Sequence, residues 1–183
     1  ILPEELPVSM SLQTDQTDPN YVYLYAKVRD RNSYIKETCV INQNLKDQGA
    51  FIDIFPIEAS SSYLCKVAAK LFNGFCFNSA MKWGCQAKLY IWSRKVLLKI
   101  VFPIFRFCSR LCGAKKLHHT FGVNFLCPRD KEDIFPLSEI KFEGETFFSP
   151  NSSNNYLRKL YGDYMKIPEV VDFHRVDGKI KVW

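Results

Sequence analysis

With 183 residues the chain is long enough to bury one ordinary core, and its 47% hydrophobic and 15% aromatic residues argue against a disordered protein. The formal net charge is +6, yet residues 59–129 carry twelve Lys and Arg without any Asp or Glu, which leaves −6 for the rest. No uncharged apolar run approaches the roughly 18 residues that a membrane-spanning helix needs, so the composition favours a globular protein with a basic middle.

The first clear pattern is the alternating segment YVYLYAKVRD, residues 21–30. It predicts a strand with one apolar side and one side of tyrosines and cations, the latter including Lys27 and Arg29. The apolar side consists of Val22, Leu24, Ala26 and Val28.

The second pattern is GAFIDIFPIE, residues 49–58, which predicts a strand with Phe51, Asp53 and Phe55 on one side. A carboxylate between two phenylalanines is costly unless a cation, hydrogen-bond donors or open water meet it. One interpretation is a structural ion pair with a neighbouring strand or a solvated sheet face, and the other is a functional carboxylate. If this strand pairs with 21–30, Lys27 and Arg29 lie near Asp53.

Residues 63–116 are predicted to be helical, and Pro103 is expected to kink or break the run. Over residues 88–110, five cations fall within an arc of about 60°, with apolar residues on the other side. These cations are Lys88, Lys95, Lys99, Arg106 and Arg110.

Three interpretations of this basic region stay open. It packs against a core with a solvated basic face, it rests on an anionic membrane surface through residues 82–116, or it binds nucleic acid through the basic, aromatic segment 82–95. We weigh nucleic acid lowest of the three.

The C-terminal third predicts a hairpin over 140–150 around Gly144, and then a short helix that ends at Tyr161 before Gly162. The side chains of Tyr161, Asp163 and Tyr164 follow this helix. They either line a pocket whose rings receive a quaternary ammonium or simply pack at a helix end, and the pattern favours packing.

Five segments, taken together and in this order, resemble the LicD family of phosphorylcholine and polyol-phosphate transferases, relatives of the fukutin-type enzymes. The segments are TDPNY (17–21), AKVRD (26–30), GAFIDIFPIE (49–58), IFPLSEIKFEGETFFSP (134–150) and YLRKLYGDYMKIP (156–168). The resemblance implies an α+β protein with a nucleotidyltransferase-like mixed sheet flanked by helices. Residues 1–183 would form a single domain, with 59–129 as a basic helical insertion.

The resemblance also implies a reaction and a site. The hydroxyl of a cell-surface glycan acceptor would displace CMP from a CDP-linked donor such as CDP-choline. Asp53 would be a catalytic residue and a ligand of Mg²⁺ or another divalent cation, and Lys27 and Arg29 would contact the phosphates.

One departure from the family is expected to matter. LicD-like proteins carry an acidic cluster upstream of the part that this chain resembles, and no Asp-x-Asp pair occurs here. The sequence therefore predicts a domain that is incomplete at the N-terminus, with weak metal binding and little turnover by this polypeptide alone.

The seven cysteines, an odd number at irregular spacing, predict buried thiols in a reducing compartment. We expect a cytoplasmic protein, located at the inner face of the membrane if its basic helices bind lipid.

Overall fold

The computed structural model describes residues 3–37, 39–166 and 181–182, and it is a mixed α and β structure. Its largest sheet has three antiparallel strands in the order β1-β2-β4. These strands are β1 (Met10–Gln13), β2 (Ala26–Asp30) and β4 (Phe51–Ile54), and β3 (Ser33–Tyr34) follows the central strand. The register places Lys27 opposite both Gln13 and Asp53.

A helical hairpin follows the sheet. Its first arm (62–83) consists of α1 (Ser62–Leu71), the π-helical Phe72–Phe77 and α2 (Asn78–Trp83). Its second arm (88–111) consists of α3 (Lys88–Val96), the π-helical Leu97–Val101 and α4 (Phe102–Leu111). The arms are antiparallel: the Ser109 hydroxyl accepts a hydrogen bond from the Ser61 N–H at 3.2 Å.

Three further strand pairs complete the described part. β5 (Ile57–Ala59) pairs with β6 (Leu117–His119), β7 (Ser138–Phe142) forms a hairpin with β8 (Glu145–Ser149), and β3 pairs with β9 (Lys181–Val182). The helices α5 (Lys131–Ile134) and α6 (Ser153–Tyr161) flank the β7–β8 hairpin along the chain. The predicted hairpin at 140–150 and the predicted helix before Gly162 are thus confirmed.

The main hydrophobic core lies between the two arms and the loops beside them. All of its buried members except Val22 and Ile41 lie between residues 59 and 129. Small residues such as Cys65, Ala68 and Cys76 line the inner face and let the arms approach closely. The basic middle of the chain is therefore also the principal source of its core.

Two predictions about strands were wrong in detail. Strand β2 begins only at Ala26, because residues 21–25 leave the sheet and pack their rings against one another, with Tyr21–Tyr23 and Tyr23–Tyr25 centroids 5.4 and 5.3 Å apart. Every described strand pair is antiparallel, whereas the resemblance predicts a mixed sheet. The nucleotidyltransferase-like arrangement stays a prediction.

Pro103 was expected to kink or break the second arm, and the structure shows no break, because helical residues continue on both sides of it. The π-helical turn directly before it accommodates a residue that has no N–H and a ring that crowds the preceding turn. Arg106, predicted on the basic face, is turned toward β5: its Nε donates to Glu58 Oε2 at 2.6 Å, and its side chain is 37% exposed. Uniform helical periodicity places Leu89, Ile100 and Phe107 on the apolar side opposite the cations, and the structure leaves all three exposed.

Within the described residues, no helix is long and apolar enough to cross a membrane.

Candidate functional site

Asp53 lies on the edge strand β4, directly opposite Lys27 of the central strand β2. The Lys27 Nζ atom is 2.8 Å from Asp53 Oδ1, with the lysine side chain 4% exposed and the aspartate 27% exposed. The strand pairing that the sequence left open is thus observed. Asp53 therefore has a cation partner, and its side chain is partly exposed although its Oδ1 atom is buried.

The Lys27 ammonium lies among aromatic rings as well as beside Asp53. Its Nζ is 3.4 Å from the Phe51 ring centroid and 5.6 and 5.7 Å from those of Tyr25 and Tyr23. Burial lowers the pKa of Lys27, and the bond to Asp53 opposes that shift. The ring faces supplement a single carboxylate as partners for this buried cation.

Arg29, the second predicted phosphate contact, is completely buried. Its Nε donates to Gln13 Oε1 at 2.7 Å, Nη1 to the Gly49 carbonyl at 2.9 Å, and Nη2 to Glu37 Oε1 at 2.8 Å. Each guanidinium nitrogen already has a protein partner, so in this structure Arg29 holds the loop 35–49 onto the sheet. A phosphate contact by Arg29 stays a prediction that requires one of these bonds to open.

A polar relay leads from Arg29 to the aromatic side of the site. Asn42 Nδ2 donates to Glu37 Oε2, and the Tyr23 hydroxyl donates to Asn42 Oδ1 at 2.9 Å. Burial raises the pKa of Tyr23 to about 12, so its phenol stays protonated and keeps donating at neutral pH. This relay fixes the Tyr23 ring.

Tyr23 and Tyr25 form one wall of an aromatic cleft of about 220 Å³. Three phenylalanine rings also line this cleft: Phe72, Phe77 and Phe125. Gly122 lies at its wall with φ +92°, and a Cβ there would be 2.5 Å from Leu24 Cδ1. The backbone at that position therefore requires glycine, both for its φ and for its space.

A larger cleft of about 360 Å³ lies along β1, with the cations Arg31 and Lys46 among its lining residues. Asp53 and Lys27 line neither of the two clefts. The aromatic cleft is the better candidate because its tyrosines contact the Lys27 ammonium directly.

The residues predicted at the end of α6 lie apart from this site. Tyr161 is exposed, and the Tyr164 hydroxyl donates to Asn154 Oδ1 at 3.2 Å. Among the described residues, no hydrogen bond, ion pair or ring contact joins Tyr161, Asp163 or Tyr164 to Asp53 or to the aromatic cleft. The structure brings Lys27, Arg29 and Asp53 together but not these three.

Asp53 alone does not make a metal site. Within residues 3–37 and 39–166, no group of three or more His, Cys, Asp or Glu side chains is arranged to hold a metal ion. Mg²⁺ is usually bound through one or two carboxylates and completes its six oxygen ligands with water and substrate phosphate. Asp53 would supply one of these ligands, and the divalent cation expected there stays a prediction.

No family model, no curated protein and no solved structure matches this chain. The LicD resemblance consequently depends on the five segments alone and stays a prediction.

Sequence reasoning missed part of the site. The cleft residues Phe72, Phe77 and Phe125 lie in the basic middle, where their spacing looks the same as that of core aromatics. The one local signal is Gly122 between aromatic residues in TFGVNF, because a glycine there indicates a backbone conformation or an approach that other residues do not tolerate.

Proposed function

We propose that this chain is part of a phosphotransferase that moves phosphocholine, or a similar phospho-alcohol, from a CDP-linked donor to a glycan hydroxyl. The five LicD-like segments support the reaction class. The observation that carries the proposal is that the aromatic cleft adjoins the Lys27–Asp53 pair, since Tyr23 and Tyr25 line the cleft and their ring centroids lie 5.7 and 5.6 Å from Lys27 Nζ.

The aromatic cleft suits the alcohol part of such a donor. A quaternary ammonium has no hydrogen to donate, so a protein recognises it through ring faces, and each well-placed ring contributes about 0.5–2 kcal/mol. Tyr23, Tyr25 and Phe77 supply such rings. Choline links its ammonium to phosphate through only two carbons, so a phosphate on the side where Tyr23 and Tyr25 approach Lys27 would lie near that cation.

The Lys27–Asp53 pair suits the reacting end. In the proposed step the glycan oxygen forms a bond to the distal phosphorus while the bond from that phosphorus to CMP breaks. The Asp53 carboxylate would orient the acceptor hydroxyl and accept its proton. Lys27 would hold Asp53 in place and place positive charge near the phosphate, and Arg29 would position the strand that carries Lys27.

Binding of CDP-choline by the chain tests the donor part of this proposal. We expect CDP-choline to bind more tightly than CDP, and Tyr25→Leu to weaken CDP-choline binding by about 3- to 30-fold while leaving CDP binding unchanged. Equilibrium dialysis with both nucleotides measures this difference. Tyr63→Leu is the matched control, because Tyr63 is an exposed tyrosine of α1 outside the cleft.

Equal binding of the two nucleotides, or equal effects of the two tyrosine variants, would exclude the choline cleft. In an assay with the acceptor glycan and any upstream segment restored, Asp53→Asn should abolish transfer without loss of CDP-choline binding. Undiminished transfer by Asp53→Asn would remove Asp53 from the reaction.

A further inference from the structure

The outer side of the second arm carries a continuous apolar stripe. Its members are spaced three or four residues apart, which places them on one side of the helix. Their exposed fractions run from 48% for Leu89 to 71% for Leu111. In order, the exposed members are Leu89, Trp92, Ile100, Ile104, Phe107 and Leu111, with the half-buried Val96 between the second and the third.

The stripe is not part of the core. The buried residues of the same arm, among them Tyr90, Ser93 and Leu97, face the first arm, and the Ser93 hydroxyl lies 3.5 Å from Cys76 Sγ. The arm thus has two apolar sides, and only one of them is covered by described residues. Six large exposed apolar side chains along about 33 Å of helix exceed the scattered surface hydrophobics of an ordinary protein.

Unpaired cations accompany the stripe. Lys88, Lys95, Lys99 and Arg110 of the second arm are exposed, and none of them forms an ion pair with a described residue. The two inward cations differ, because Arg94 pairs with Asp15 and Arg106 with Glu58. The cations with protein partners therefore point inward, and those without partners lie beside the stripe.

We propose that this outer face of residues 88–111 docks on an anionic lipid bilayer, with the stripe in the interface and the lysines at the headgroups. The inference does not depend on the phosphotransfer reaction. A bilayer surface offers both an apolar layer for the stripe and negative charge for the cations, and helices of this kind lie flat at that boundary.

Two other occupants fit the face less well. A second copy of this chain would set the same face against itself and bring lysines against lysines, since residues 59–129 contain no acid. Nucleic acid would satisfy the cations, but the aliphatic Leu89, Ile100 and Ile104 offer no ring on which a base stacks. Only lipid matches both properties of the face.

Vesicle flotation of the intact chain tests this proposal. We expect the protein to float with phosphatidylcholine vesicles that contain phosphatidylglycerol, and not with phosphatidylcholine alone. The double variant Lys95→Gln, Lys99→Gln should weaken binding roughly 30-fold, because each lysine near an anionic surface strengthens binding by a factor of about five. Ile104→Ser with Phe107→Ser should weaken binding about tenfold or more through lost apolar burial.

Matched controls distinguish binding by this face from non-specific binding by charged or apolar side chains elsewhere on the protein. Lys131→Gln with Lys141→Gln removes two exposed lysines elsewhere, and Phe148→Ser removes a more exposed phenylalanine of β8. Neither control should change flotation, and thermal melts should show that all variants are folded.

Four results would overturn the docking proposal. The first is binding to vesicles that is the same with and without phosphatidylglycerol, and the second is a loss of binding in the control variants equal to that in the stripe and lysine variants. The third is a dimer in size-exclusion chromatography that disappears when the stripe is substituted. The fourth is a DNA or RNA gel shift that the lysine variants abolish, with no flotation of the protein.

Discussion

The three-stranded sheet and the second arm of the helical hairpin differ in which side chains they bury: the sheet buries polar groups, and the arm leaves apolar groups exposed. The sheet turns Gln13, Lys27 and Arg29 inward, while Ile52 on its other face is 72% exposed. The arm leaves its apolar stripe exposed and turns only Arg94 and Arg106 toward acids. In each region the polar groups that have protein partners are the ones turned inward.

Whether a polar side chain is buried in these two regions therefore depends on the hydrogen-bond and ion-pair partners around it rather than on its residue type. Arg29 is tolerated inside because Gln13, Glu37 and the Gly49 carbonyl meet all of its nitrogens. Residues 59–129 contain no carboxylate, and Lys88, Lys95 and Lys99 of the second arm, which form no ion pair with a described residue, are exposed.

Removing the buried guanidinium should have the largest effect on stability. Arg29→Met leaves the Glu37 carboxylate without its cation and Gln13 without its donor, so we expect the free energy of unfolding to fall by about 3–5 kcal/mol. Urea denaturation measures the loss. Arg31→Met is the matched control, because Arg31 is exposed and should cost less than about 1 kcal/mol. Similar losses in both variants would refute the assignment of Arg29 as the main tie between loop and sheet.

A buried histidine should make the polar interior sensitive to acid. Burial, aided by the charge of Arg129 and by His118, lowers the pKa of His119 to about 4, and its Nε2 accepts a hydrogen bond from Arg129 Nη2 at 2.8 Å. Between pH 6.5 and 4 the unfolded chain therefore binds a proton that the folded chain does not. The free energy of unfolding should therefore fall as the pH is lowered from 6.5 to 4, by at most about 3 kcal/mol.

The variant His119→Gln keeps an acceptor for Arg129 but does not titrate. Its thermal midpoint should decline less between neutral pH and pH 4 than that of the wild-type protein, and the remaining decline would include His118, whose pKa burial also lowers. Parallel declines in the two proteins would show that His119 is not the responsible group.

The smallest effect is expected on the exposed stripe. Ile104→Gln should change the free energy of unfolding by less than about 0.5 kcal/mol, because Ile104 is mostly in water in the folded chain. Phe102→Ala, two residues earlier and completely buried, should cost about 3–5 kcal/mol. Chemical denaturation of both variants measures the contrast, and a large loss for Ile104→Gln would mean that the stripe packs against the protein itself.

Local sequence was sufficient for several elements. The turn at Gly144, the helix that ends before Gly162 and the strand around Asp53 each depend on neighbouring residues, so a pattern of a few residues predicted them. The excess of positive charge in residues 59–129 could also be recognised from the sequence. The proximity of Lys27 to Asp53 followed once the two strands were assumed to pair.

Tertiary structure decided the rest. Alternation in 21–30 separates two faces but does not say which face is covered; the structure covers the face of Lys27 and Arg29, where Glu37 and the Gly49 carbonyl supply hydrogen-bond partners to Arg29. The π-helical turn before Pro103 changed the phase of the second arm, which no uniform helical periodicity predicts. The aromatic cleft joins residues from three distant segments. The sequence determined which polar groups the chain has. Long-range contacts determined which of these groups have partners, because the free-energy cost of burying a polar group depends on its neighbours in space rather than on its neighbours in the chain.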